Sequence, residues 1–246
     1  MNCSLANVEA MTTPEITSEM VRHLPTPELG LAVLQSLNHQ GSFSVHNFFN
    51  NASSVYGDTQ DGRFLRDRLS DAWAWLEAHG FVGRDPADAG GTWKRVTTDG
   101  KRIASDQNAL ATIWAADRLA GVLDPDLDAK VRPIFNVGDY ETACFAAMKE
   151  VEVSVRRAAG LDRTVIGVKL MREAFKPDGG PLTDEAAPPG EQVATMELFA
   201  GAIGAFKNPP SHRTVAFDDP VEAAEIVQLA DLLLRILRRV CTAKSS

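Results

Sequence analysis

Cysteine is scarce in this 246-residue chain: Cys3, Cys144 and Cys241 lie far apart, and no CxxC pair occurs. That spacing argues against a disulfide or zinc framework and points to a reducing compartment. No stretch reaches the roughly 20 apolar residues of a membrane helix. The opening MNCSLANVEAMTTPE has no basic start followed by an apolar run, so no secretory leader is expected. There is no HExxH, no cluster of cysteine and histidine, and no GxxxxGK phosphate loop, so no metal and no cofactor is expected. Basic residues are outnumbered, 25 against 33 acidic, for a net charge of −8. Such a balance disfavours broad, unspecific coating of nucleic acid but leaves room for a local basic site. The expectation is a soluble cytoplasmic protein with no membrane partner.

What is present is helical periodicity, with 44% apolar residues to build cores and a length that favours two domains. Residues 1–24 are polar and mixed, a loose lead-in. A helix follows from Glu28 with Leu29, Val33, Leu34 and Leu37 on one face, and a second runs from Val45 to Tyr56. The stretch GDTQDG, Gly57 to Gly62, reads as a break. A third helix runs from Phe64 to His79 with Leu65, Leu69, Ala72, Trp73 and Leu76 as its buried stripe, stopped by Gly80. Two strand-like runs, Phe81–Arg84 and Thr92–Thr97, then flank a turn-rich tip.

Three helices and a hairpin in this order, carrying WLEAHGFV (75–82) and TWKRVTTDGKRIA (92–104), resemble a winged helix-turn-helix domain over residues 25–105. From Arg63 to Arg102 there are eight basic and six acidic residues, a local net of +2. The resemblance implies a nucleic-acid face of Arg63, Arg66, Arg68, Lys94 and Arg95, with DNA as its partner. The modest charge equally suits a protein-docking module.

Residues 106–125 read as a connecting helix and linker, interrupted by LDPDLD. From 126 to 246 the pattern is all helix. Asp139 caps a helix from Tyr140 to Ala159 whose apolar stripe is Tyr140, Cys144, Ala147, Met148, Val151 and Val155, with Glu152 and Arg156 off it. A shorter helix spans Val165–Phe175. The proline- and glycine-rich run 176–190 is a loop long enough to be mobile or functional. A small-residue helix, Glu191–Phe206, leads into FKNPPSHR, 206–213. Asp219, Pro220 and Glu222 start the last helix, which carries Ile226, Leu229, Ala230, Leu233, Ile236, Leu237 and Val240 as its stripe.

The FKNPPSHR stretch sits at a forced break, since two prolines remove two N–H donors and forbid a continuing helix. Such a break displays side chains: Lys207 could neutralise an anion and His212 could move a proton. Asn-Pro and Pro-Pro pairs are also ordinary turn signals, and a histidine near a turn is often structural.

The second half resembles the Ymh-type family and, through it, the HEPN superfamily of helical bundles. The resemblance rests on YETACFAAMKEVEVSVR (140–156), GVKLMREAF (167–175), LFAGAIGAFKNPPSHR (198–213) and LADLLLRIL (229–237). It implies a mainly α chain in which a winged-helix-like domain is followed by a HEPN-like all-α helical bundle. It also implies metal-independent RNA cleavage in a phage-defence or mobile-element setting. Lys207 would hold the family's arginine position, Asn208 the polar one and His212 the histidine; Arg213, directly after the histidine, is a further candidate nucleic-acid contact by its charge and not by any family pattern. Two such motifs meet across a two-fold homodimer in that superfamily, so the implied partners are a second copy and an RNA substrate. The alternative is a non-catalytic DNA-binding regulator whose C-terminal bundle only dimerises.

Overall fold

A computed structural model of the chain describes residues 16–207 and 218–245, without the side chain of Ser245. The chain divides into two compact units, residues 1–110 and 111–246. It is mainly helical, with one small three-stranded sheet.

In the first unit, α1 (Ser18–His23), α2 (Thr26–Leu37) and α3 (Val45–Tyr56) all pack on α4 (Gln60–Ala78). The expected α2 face is fully used: Leu29, Val33, Leu34 and Leu37 are buried. So is the expected α4 stripe from Leu65 to Leu76. The strands β1 (Ser42–Ser44), β2 (Val82–Arg84) and β3 (Trp93–Val96) pair antiparallel in the order β1-β3-β2, with Phe43 opposite Lys94 and Gly83 opposite Arg95. Helix α5 (Thr98–Ala104) closes the unit.

Local chemistry moved three boundaries from their expected places. The lead-in contains α1, because the Thr17 hydroxyl accepts from Met20 N and Val21 is buried. Helix α4 begins inside the expected break, at Gln60, because the Thr59 hydroxyl accepts from Gly62 N and supplies the N-cap. Strand β1 has only three residues, too few for an alternation to show, and it forms because β3 offers its free edge.

In the second unit α6 (Ala109–Leu119) leads to α7 (Pro125–Lys130) and α8 (Arg132–Asn136). The LDPDLD run therefore starts a helix: Asp124 caps α7 through Asp126 N, and Pro125 takes the first position, where its missing N–H costs nothing. Helix α9 (Tyr140–Ala159) is the centre of the unit and packs along α12 (Pro220–Ser245). Its ends are those expected. Asp139 accepts from Thr142 N, and Gly160 closes it at φ 64°, a left-handed conformation that a side chain disfavours. Helices α10 (Gly167–Ala174) and α11 (Pro189–Ala202) pack against each other, and α10 packs on α9. Phe175 and Phe199 stack at 4.3 Å in the core.

The 176–188 loop is held in place. Leu182 is buried in the core and its N–H donates to Ala174 O. Thr183 Oγ1 donates to Lys176 O, Gln192 Nε2 to Asp184 O and Ala187 O, and Lys244 Nζ to Pro181 O.

Candidate functional site

Helix α11 does not simply stop at the FKNPPSHR break. It continues as a π-turn, Ile203–Lys207. The wider i→i+5 winding inserts a residue into the turn, and such turns gather at functional sites. Two of its five residues, Gly204 and Ala205, are small. A Cβ added at Gly204 would lie 3.3 Å from Val168 Cγ2, which shows how closely this turn approaches α10.

The π-turn ends on Lys207, whose side chain is only 15% exposed. Its Nζ lies 3.3 Å from Glu152 Oε2 on α9. Glu152 is 5% exposed. Its Oε2 also accepts from Gly167 N at 3.0 Å, at the start of α10, and its Oε1 accepts from Arg156 Nη2 at 2.6 Å. Arg156 Nε in turn donates to Val165 O. One carboxylate thus ties together α9, the α9–α10 loop, the first turn of α10 and the π-turn.

Burial alone would raise the Glu152 carboxyl pKa. The Arg156 and Gly167 hydrogen bonds and the Lys207 charge outweigh it and hold the group below its ordinary 4.5. Two cations, Arg156 and Lys207, thus share the Glu152 carboxylate, and Lys207 directly precedes NPPSHR.

Glu152 and Arg156 stand off the apolar stripe in the sequence reading, and burial corrects that. Glu152 falls four residues after Met148 and three before Val155, which is core spacing on α9. A glutamate at core spacing with an arginine four residues on is the signal that marks the pair. Lys207 is described here. Asn208, His212 and Arg213 lie outside the described residues. No three His, Cys, Asp or Glu side chains among the described residues come together to hold a metal ion. No helix among them is long and apolar enough to cross a membrane.

The five N-terminal cations are placed very differently from one another. Arg66 donates to Gly57 O and pairs with Asp58, while Arg68 donates to Val21 O and Leu24 O. Both guanidiniums hold loops of the unit onto α4. Lys94 Nζ pairs with Glu77 at 3.1 Å, and Arg95 donates to Val96 O. Arg63 alone of the five is fully exposed. The outward residues of α4 include Asp67, Asp71 and Glu77. The Asp85 and Asp88 carboxylates fold the β2–β3 tip by accepting from Ala87, Gly90 and Trp93 N–H groups.

Residues 122–237 match the family described as "Protein of unknown function (Hypoth_ymh)". The Ymh match spans α7 to α12 and so contains the Glu152–Arg156–Lys207 cluster. It supports the Ymh-type resemblance read from residues 140–237. Comparison with curated proteins and with solved structures gives no match.

Proposed function

We propose that the C-terminal unit is a HEPN-like, metal-independent endoribonuclease, or descends from one, acting in phage defence or on behalf of a mobile element. The observation that carries the reading is the Glu152–Arg156–Lys207 cluster. It holds Lys207, its side chain 15% exposed, immediately before Asn208 and five residues before His212. A preorganised cation stabilises the extra negative charge of a phosphoryl transition state without reorganising first. In this reading His212 removes the proton from a ribose 2′-hydroxyl. The oxygen attacks the adjacent phosphorus, and an acid protonates the leaving 5′-oxygen. One imidazole cannot be base and acid at once, so two copies would each supply one.

A homodimer has independent support on α11. Ala194, Leu198, Gly201 and Ala205 are exposed along one side, and a Cβ at Gly201 would meet nothing within 4 Å. Val193 (45%) and Leu198 (43%) are more exposed than large apolar residues usually are. Apolar residues left exposed together on one helix side suit a covering partner.

The winged-helix reading of the first unit is supported by its element order, in which β1 lies between α2 and α3 and joins the β2–β3 hairpin. The DNA-binding regulator reading is weakened by the acidic outer side of α4 and by the internal use of Arg66 and Arg68. Those observations favour a docking module for this unit.

The test is an RNA-cleavage assay with the purified full chain. His212→Ala abolishes cleavage while melting temperature and mass stay unchanged. Lys207→Ala lowers the rate by about 10²–10³, the scale of losing one electrostatic stabiliser. Lys207→Arg keeps or raises it, because a guanidinium can hold a phosphate through two bonds. If the wild-type chain cleaves no RNA, the nuclease reading is wrong.

A further inference from the structure

The side of α10 away from the core carries Lys169 and Arg172, and Lys176 follows just beyond its end. Lys169 and Arg172 are three residues apart on one helix face, and Lys176 lines the same groove from beyond the helix end. The row borders an open groove of about 650 Å³ between α10 and α11. Its apolar floor is Val168, Pro177 and Met196. Glu173 pairs with Lys169 at 3.7 Å and Glu197 with Arg172 at 3.4 Å, both at exposed positions where such pairs are weak. Lys176 is exposed and pairs with no acid among the described residues. The groove's charged lining is three cations and one anion, Glu173, a local net of +2 in a chain of net charge −8.

The groove also has a direction. Val168 belongs to its floor and is the side chain that Gly204 of the π-turn approaches. One end of the groove therefore lies beside the turn that presents Lys207.

We infer that the Lys169–Arg172–Lys176 groove is a track for the backbone of single-stranded RNA, leading to the Lys207 site. The inference rests on the ribonuclease reading for its substrate and on this groove for its residues. Cations in a row meet successive phosphates. The dry floor receives bases that a single strand leaves uncovered, whereas a duplex keeps its bases stacked inside. An acidic protein segment would use the same cations without needing the floor.

The experiment measures binding of a fluorescein-labelled mixed-sequence 12-mer RNA to the full chain carrying His212→Ala, which separates binding from cleavage. Lys169→Ala/Arg172→Ala/Lys176→Ala is compared with its parent across a salt series. Three lost phosphate contacts weaken binding about tenfold or more at low salt and make the log–log salt slope shallower by about 2. Restoring Lys176 alone in the triple variant recovers about a third of the slope change, one phosphate contact of three. Arg235→Ala/Arg239→Ala, which removes cations elsewhere on the unit, leaves the slope unchanged. Circular dichroism checks that the triple variant is folded, and Lys176→Ala alone, which breaks no ion pair, must show its own share of the slope change. Unchanged binding in the triple variant, equal affinity for a 12-base-pair duplex, or no RNA binding by the parent at 20 mM salt, on the order of the weakest screening used, overturns the track. Binding lost as expected, together with a wild-type chain that cleaves nothing, upholds the track and removes the nuclease.

Discussion

At the residue scale the decisive group is Glu152. A buried carboxylate is tolerated only when paired and hydrogen-bonded, and Glu152 has two cations and one backbone N–H. Removing it would leave Arg156 and Lys207 facing each other without their counter-ion. Glu152→Gln is therefore expected to cost about 3–5 kcal/mol at neutral pH, the range for breaking a buried pair from one side. The carboxyl's folded pKa lies below its ordinary 4.5. Its contribution is thus fully present above that pH and is lost as pH falls through the folded value. Urea titrations of both proteins should show the stability gap at pH 7 and its narrowing below pH 4.5. A gap that stays constant down to pH 3 would contradict the assignment. Cys144 behaves oppositely. Burial pushes its thiol up to about 12, and it sits against Ala223 O in the core. It is expected to resist alkylation at pH 8 in the folded chain, while half-buried Cys241 reacts before it. Peptide mass mapping after brief iodoacetamide treatment reads this directly, and early label on Cys144 would show that the core opens.

At the element scale, the two long helices of the second unit were legible because each end is written in local chemistry. Asp139 and Gly160 bound α9, and the Asp219 side chain accepts from Val221 N at the start of α12. Asp139→Ala is expected to cost about 1 kcal/mol, the usual worth of an N-cap. A chemical-denaturation midpoint unchanged from wild type would refute it. The 176–188 loop was less legible. Its composition permits motion, yet Leu182 anchors it in the core. Leu182→Ala should therefore cost about 2–5 kcal/mol and expose the loop to protease. Cleavage within 176–188 that is no faster than in wild type would show the anchor to be idle.

At the scale of the whole molecule, two units with separate cores should behave as separate folding bodies. The dimer proposed through α11 adds a mass-dependent property. Leu198→Asp places a charge in the exposed apolar stripe and should shift light scattering from the dimer mass to the monomer mass, with helicity kept. A monomeric wild type at micromolar concentration would remove the dimer, and with it the source of the second imidazole.

What the chain alone determined is whatever depends on neighbours a few residues apart. That includes the α2 and α4 stripes, the caps of α9, the start of α12, and the match of 122–237 to a family. These follow from helical period and backbone donors, which act locally. Tertiary structure decided what depends on residues far apart in sequence. Glu152 became the counter-ion of a lysine 55 positions later because α9 and the π-turn pack together. Arg66 and Arg68 were drawn onto loop carbonyls, and a three-residue strand formed because β3 had an edge to give it. Charge and hydrogen-bonding capacity are properties of a residue, but the partner that uses them is chosen by the fold.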